Sequence, residues 1–118
     1  MADGLIVITL VFQGSISGLL KLFFDLLPPV TLSGKAVTLG ATGGFARHAL
    51  LLESVLRSFI SYLHRITVSI RVYGAKPEWE SDFERITSRA RRAGGELARW
   101  TQLLQCHNTD VTASWLAC

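Results

Sequence analysis

The chain opens with a continuous apolar run and then changes to a helical pattern. Residues 5–12 are β-branched or bulky and apolar apart from one threonine, which is typical of a strand covered by helices on both faces of a parallel sheet. Residues 18–27 leave only Lys21 and Asp25 as a thin polar stripe. A helix that is apolar nearly all round is expected to be buried.

The alternation of apolar runs and helical periods continues along the chain. Residues 35–40 predict a second strand, residues 66–73 a third strand near the sheet edge, and residues 81–104 a final helix. Between the last two strands, apolar positions three and four apart predict a helix over residues 48–63. Its sheet-facing positions are His48, Leu51, Leu52, Val55, Leu56, Phe59, Ile60 and Leu63. This order predicts an α/β fold with a parallel sheet between two helical layers.

The length and composition predict one domain that is covered by another subunit. A chain of 118 residues can hold a single core, which we expect over residues 1–104, followed by a poorly ordered tail over residues 105–118. Hydrophobic residues make up 49% and charged residues 18%, so the chain is more apolar and less charged than an average soluble domain. Together with the apolar helix at residues 18–27, this balance predicts a homo-oligomer.

The net charge of +3 comes mostly from arginines between positions 85 and 99. Few aromatic residues accompany them, which favours a solvated helix face over a nucleic-acid partner. The two cysteines, at positions 106 and 118, are too few for a disulfide framework and favour a reducing compartment. Residue 1 is followed by neither a basic leader nor an apolar run long enough to span a bilayer, so we expect a cytoplasmic protein and no membrane partner.

Two glycine-containing loops follow consecutive predicted strands, at residues 12–18 and 41–45. Cofactors in open α/β sheets lie beyond the carboxyl ends of strands, so these loops could together hold a flat ring. The alternative is that glycine and serine serve turn geometry alone.

The sequence of these loops resembles one enzyme family. Residues 10–28, LVFQGSISGLLKLFFDLLP, resemble the segment TPVYKASYSGLLKAFLDLLP of NAD(P)H-dependent FMN reductases. Residues 41–53, ATGGFARHALLLE, are similar to the ATGGxxxHxLxxE/D stretch of the same family. The nearest group is the flavodoxin-like reductases that supply reduced flavin to two-component monooxygenases.

The resemblance implies a flavodoxin-like three-layer sandwich with a parallel sheet. It implies FMN and NAD(P)H as cofactors, NAD(P)H-dependent reduction of FMN as the activity, and a flavin-dependent monooxygenase as partner. The residues that would border the flavin ring are Phe12, Gln13, Gly14, Ser15 and Ser17 on one side and Thr42, Gly43 and Gly44 on the other. The resemblance assigns no catalytic side chain, because flavin carries the redox chemistry and the protein supplies position.

The sequence departs from the family at its N-terminus. Family members begin with a strand and a Gly-Ser loop that wraps the FMN phosphate, and neither is found before residue 2, so the fold is expected to be incomplete there. In the strand order 2-1-3-4-5, residues 5–12 form the third strand, whose partner would be the first. The alternative is therefore a truncated non-catalytic remnant or an interaction module with weak or no flavin binding, and whether the chain is an enzyme stays open.

Other chemistry-bearing residues suggest structural roles. We expect His48 to be a partly buried structural histidine, because it lies on the apolar helix face. Ser15 and Ser17 have no visible His/Asp partners and suit turn roles. Cys106 and His107 lack a second ligand pair, so no metal site is predicted.

Overall fold

A parallel sheet forms the centre of the molecule, whose computed structural model describes residues 2–62 and 66–109. Its strands are β1 (Gly4–Leu10), β2 (Ala36–Gly43), β3 (Ile66–Thr67) and β4 (Val72–Ala75). β2 lies in the middle, with β1 on one side and both β3 and β4 on the other. The predicted α/β fold with a parallel sheet is confirmed.

β1 and β2 run in parallel register over their whole length. The pairs extend from Gly4 opposite Ala36 to Leu10 opposite Thr42, and Val11 N donates to Thr42 O at 2.8 Å. β2 continues to Gly43, three residues beyond the predicted strand. Its last residues are hydrogen-bonded to β4 on one side and, up to Thr42, to β1 on the other, so their backbone groups are satisfied.

The helices surround this sheet. They are α1 (Gly18–Leu26), α2 (Ser58–Tyr62), α3 (Lys76–Ser81) and α4 (Phe83–Thr109), with 3₁₀ turns at Pro29–Leu32 and Ala46–Leu50 and a π-helical segment at Leu52–Arg57. Among the described residues, no helix combines the length and the apolar character needed to cross a membrane.

The predicted single helix over residues 48–63 is wrong in its form. The chain there passes through 3₁₀, π and α geometry in turn, and residues 63–65 lie outside the described part. The wide π turn keeps Leu52, Leu56 and Ile60, which are four residues apart, on the sheet-facing side, and all three are buried. The predicted face is thus confirmed at these positions although the helix type is not, and Leu63 lies outside the described part.

The last helix is longer than predicted. α4 continues to Thr109, so residues 105–109, predicted as part of the tail, are helical, and residues 110–118 lie outside the described part. Gly94 and Gly95 lie within this continuous helix, whose other residues are mostly strong helix formers.

The core lies on one face of the sheet. Its buried side chains are Val7, Phe24, Val37, Leu39, Ala41, Leu52, Leu56 and Ile60, contributed by β1, β2, α1, the π segment and α2. On the opposite face α4 packs over β2 and β4, where Ile86 and Ala93 are buried. The three-layer arrangement follows from these two contacts.

The expectation that α1 is buried all round is wrong for the single chain. Only Phe24 is buried, while Leu19 is 80% and Leu26 75% exposed. The sheet is narrow, so it covers only one side of α1. β1 is also poorly covered on the sheet face towards α4, where Ile6 and Ile8 are each more than half exposed.

The third predicted strand, residues 66–73, is split into β3 and β4. Between them, Ser69 N and Ile70 N turn away from β2 and donate to the two carboxylate oxygens of Glu96 on α4, at 3.0 and 2.8 Å. Glu96, which is distant in sequence, thus supplies the hydrogen-bond acceptors that carbonyl groups of a neighbouring strand would otherwise provide.

The protonation of Glu96 follows from these contacts. Burial of the carboxylate acts to raise its pKa, but hydrogen bonds from the backbone N–H groups of Ile70 and Ser69 oppose this effect. With the Ser69 side chain and the positive charge of Arg99 added, the pKa of Glu96 is lowered below its ordinary value.

Glu96→Gln is expected to lower the free energy of unfolding at pH 7 by about 1–2 kcal/mol, since charge-assisted bonds to two backbone amides are weakened in a partly solvated site. Because the folded-state pKa is lowered, the stabilisation is present above about 4.5 and is lost as the pH falls below that value. Urea denaturation from pH 3 to 7 measures both effects. Glu84→Gln on the same helix is the matched control, and equal unfolding free energies for the two variants would contradict the role of Glu96.

Candidate functional site

The chain makes a tight turn directly after β1. Phe12 and Ser15 exchange two backbone hydrogen bonds of 3.0 Å, and the residues between them, Gln13 and Gly14, have φ values of 51° and 71°. Two central residues with positive φ are the signature of a type I′ turn, which glycine adopts without strain. The turn leaves Gln13 and Gly14 exposed at the carboxyl end of β1.

Ser17 joins this turn to α1. Its hydroxyl oxygen accepts from Leu20 N at 3.2 Å and so caps the helix. Its own N–H donates to the hydroxyl of buried Thr9 at 3.5 Å, which holds the beginning of α1 against β1. The structural role expected for Ser17 fits this geometry, and the predicted contact of its side chain with a ligand stays a prediction.

The second glycine loop begins inside the end of β2. Thr42 and Gly43 are the last strand residues and are half-buried, while Gly44 is exposed. A Cβ added at Gly43 would overlap the hydroxyl of Tyr73 and would lie 3.3 Å from Cβ of Val11. A Cβ added at Gly44 meets nothing within 4 Å. Gly43 is therefore required by packing against Tyr73, and Gly44 borders open space.

Tyr73 stabilises this loop and was missed by the sequence reasoning. Its hydroxyl donates to Phe45 O at 2.7 Å. Burial and the negative charge of Glu78 raise the pKa of Tyr73, so the phenol stays protonated and able to donate at neutral pH. The sequence signal was its position at the end of the third strand, next to the two loops already singled out.

The structure brings the two predicted loops together at one rim of the sheet. The hydrogen bond from Val11 N to Thr42 O joins the first residues that lead into each loop. Two aromatic side chains flank this rim, Phe12 at 61% and Phe45 at 58% exposure. Open backbone at the glycines beside exposed aromatic surface fits a planar ring better than a metal ion or a flexible chain.

His48 lies one turn beyond this loop. It is half-buried, its ring meets that of Phe45 edge to face with 5.7 Å between centroids, and its Nδ1 is buried without a hydrogen-bond partner among the described residues. The expected partial burial of His48 is confirmed. Within the described ranges, no group of His, Cys, Asp and Glu side chains could hold a metal ion.

The comparisons with known proteins agree on one family. A family model described as NADPH-dependent FMN reductase matches residues 1–79. The chain is 43% identical over 99 residues to an FMN reductase (NADPH) of Pseudomonas aeruginosa and 42% identical over 97 residues to an NADH-dependent FMN reductase of Pseudomonas fluorescens. Each alignment covers 82% of this chain and 51% of the relative.

Solved structures give the same result. An oxidoreductase of Corynebacterium diphtheriae superposes with a TM-score of 0.79 at 39% identity, covering 85% of this chain and 56% of the other. An NADH:FMN oxidoreductase in its apo form superposes with a TM-score of 0.67 at 30% identity, covering 86% and 53%. The flavodoxin-like fold is thereby confirmed, and the chain spans about half the length of the curated relatives it matches.

The contact between Gly43 and Tyr73 predicts a measurable coupling. Gly43→Ala is expected to lower the free energy of unfolding by about 2 kcal/mol because the added methyl group overlaps the phenol oxygen, and Tyr73→Phe by about 1 kcal/mol because one hydrogen bond is lost. The double variant should cost about 1 kcal/mol less than the sum, since removing the hydroxyl makes room for the methyl group.

Chemical denaturation of the four proteins measures this coupling. Gly44→Ala is the control and should stay within about 0.5 kcal/mol of the unsubstituted chain. Additive effects in the double variant would contradict the assigned role of Gly43.

Proposed function

We propose, since the chain belongs to the NADPH-dependent FMN reductase family, that the rim formed by β1 and β2 binds FMN for reduction by NAD(P)H. The observation that carries the proposal is the hydrogen bond between Val11 N and Thr42 O, because it sets the two loops side by side at the carboxyl ends of parallel strands. Family membership covers both loops, which lie within residues 1–79.

The proposed binding residues divide by the groups they offer. The exposed ring of Phe12 offers apolar surface, and the turn backbone at Gln13 and Gly14 offers N–H and C=O groups. Ser15 closes this turn through its two backbone hydrogen bonds to Phe12. On the other side, Thr42, Gly43 and Gly44 present the end of β2, and Ser17 holds the beginning of α1 in place. Bound FMN supplies the redox chemistry, so no side chain is assigned as acid or base. The role of this chain is to position the ring and limit water around it.

The nicotinamide nucleotide and the acceptor of reduced flavin belong to the same proposal. Relatives are named for NADPH in one case and NADH in another, so membership of the family is compatible with either nucleotide. We assign transfer of reduced flavin to a flavin-dependent monooxygenase, on the resemblance of residues 10–28 to two-component reductases. A cytoplasmic location suits a reaction that consumes reduced nicotinamide nucleotide.

A second candidate function is a flavin-free interaction module. It is favoured by β1, whose Ile6, Ile8 and Leu10 lie on the sheet face towards α4 and are each more than half exposed. Within the described residues β1 pairs with β2 alone, so its outer N–H and C=O groups can accept another strand. A neighbouring apolar groove of about 270 Å³ between the sheet and α4 extends this surface.

Flavin titration separates the two functions. The purified chain is expected to quench FMN fluorescence on binding and to oxidise NAD(P)H only when FMN is present. Gly44→Leu should raise the Kd for FMN about tenfold, equivalent to about 1.4 kcal/mol, because the added side chain enters the open space at the rim. Gly95→Leu is the matched control, since a Cβ added there also meets nothing within 4 Å but lies on α4, away from the rim.

Unchanged FMN fluorescence together with an unchanged Tm on adding FMN would favour the interaction module instead. Equal Kd values for the two leucine variants would contradict the placement of the flavin at Gly44.

We also propose that the chain forms a homo-oligomer through α1. The exposed apolar side chains of this helix are Leu19, Leu22, Phe23 and Leu26. A contiguous apolar surface of this kind on a single chain favours protein contact over solvent, and the predicted covering by another subunit fits it.

Light scattering after size-exclusion chromatography tests this assembly. The unsubstituted chain should elute at a multiple of 13.0 kDa, and the double variant Leu22→Gln/Leu26→Gln should elute as the monomer because polar groups replace the apolar contact. Leu103→Gln, at a leucine of α4 whose exposure lies between those of Leu22 and Leu26, should keep the assembly. A monomeric unsubstituted chain at micromolar concentration would refute the proposal.

A further inference from the structure

A polar cavity of about 260 Å³ lies next to the candidate flavin rim. It opens between the 3₁₀ and π segments after β2, the beginning of β4 and the beginnings of α3 and α4. Its ionisable lining consists of Glu53, Arg71, Tyr73, Glu78, Arg85 and Arg89. Three guanidinium groups therefore face two carboxylates, and none of the residues assigned to flavin binding is among them.

The two carboxylates of the cavity are already engaged by the protein. Glu53 pairs with Arg71 and lies 3.7 Å from Nε of Arg57. Glu78 accepts from Ala75 N at 3.0 Å through one oxygen, and its other oxygen lies 3.7 Å from Nη1 of Arg85. Both carboxylates of the cavity are thus ion-paired with protein cations, and Glu78 also accepts a backbone hydrogen bond.

The arginines retain unused donors. Nε of Arg89 donates to Arg71 O at 2.9 Å, which fixes the guanidinium beside the cavity, while its Nη groups pair with no described residue. Arg85 touches Glu78 with one nitrogen and its side chain is 67% exposed. The cavity therefore has donors and positive charge to offer, which suits an anion with several acceptor oxygens.

We propose that this cavity binds a phosphomonoester, and that the group bound is the 2′-phosphate of NADPH. The inference rests on the proposed function, which requires a nicotinamide nucleotide at the neighbouring rim. Tyr73 joins the two places, since it lines the cavity and its hydroxyl donates to Phe45 O in the rim loop.

The size and chemistry of the cavity both fit that end of the nucleotide. A volume of about 260 Å³ is below the range of roughly 300–1,000 Å³ that encloses a whole drug-sized ligand, so the cavity holds one phosphorylated sugar rather than a dinucleotide. NADH offers a 2′-hydroxyl, whose usual protein partner is a carboxylate acceptor. Since Glu53 and Glu78 are engaged, the cavity favours the phosphate of NADPH over the hydroxyl of NADH.

Direct titration with nucleotide fragments tests the inference without flavin or turnover. The chain is expected to bind adenosine 2′,5′-bisphosphate at least tenfold more tightly than 5′-AMP in isothermal calorimetry. Arg89→Gln should weaken binding of the bisphosphate about tenfold and change binding of 5′-AMP less than twofold, because only the 2′-phosphate loses a charged donor. Arg91→Gln, at an exposed arginine of the same helix outside the cavity, is the matched control and should leave both affinities unchanged.

A second variant guards against loss of structure. Arg89 also bonds to the backbone of Arg71, so Arg85→Gln, which breaks no backbone hydrogen bond, should weaken bisphosphate binding in the same direction at an unchanged Tm.

Three results would overturn the inference. They are equal affinity for the bisphosphate and 5′-AMP, equal weakening by Arg89→Gln and Arg91→Gln, and displacement of the bisphosphate by FMN or inorganic phosphate at matched concentration, which would assign the cavity to the flavin phosphate or to any phosphate. Failure of the proposed function looks different, because a chain that neither binds nor reduces FMN can still bind the bisphosphate. Reduction of FMN without binding of the bisphosphate would contradict the phosphate site and leave the proposed function intact.

Discussion

The parallel pairing of β1 with β2 is the constraint on which the rest of the molecule depends. Its register, from Gly4 opposite Ala36 to Leu10 opposite Thr42, decides which side chains face the core and where each strand ends. A shift by one residue would turn Val7 and Thr9 outward and bring Ile6 and Ile8 into the core. The same register sets the turn after β1 beside the glycine loop after β2, so the core and the candidate site are fixed by one set of hydrogen bonds.

Much of this arrangement follows from local sequence. The uninterrupted apolar run before residue 12, the polar stripe of α1 and the apolar period around Leu52 and Leu56 each carry their own structural signal. The loops at residues 12–18 and 41–45 follow from the strands, because parallel strands must end at the same rim. These features could therefore be predicted without a structure.

The features that could not be predicted depend on residues distant in sequence. The edge strand is interrupted because Glu96, 26 positions beyond Ile70, supplies acceptors for its backbone. The π segment is set by how its side chains meet the sheet, which a helical period does not reveal. Gly43 looks like a ligand-facing glycine in sequence, yet the structure shows that the phenol of Tyr73 occupies the space beside it.

Tyr73 connects the two candidate binding regions physically. Its ring packs beside Gly43, its hydroxyl holds Phe45 O, and its edge lines the polar cavity next to Glu78. Because burial and Glu78 both raise the pKa of Tyr73, the hydrogen bond to the rim loop persists across the physiological range. A neutral donor is suited to this position, since a charged one would disturb the balance between the arginines and carboxylates of the cavity. An anion entering the cavity would lie beside Tyr73, the side chain that fixes the glycine loop. The position of the loop and the occupancy of the cavity therefore both depend on Tyr73.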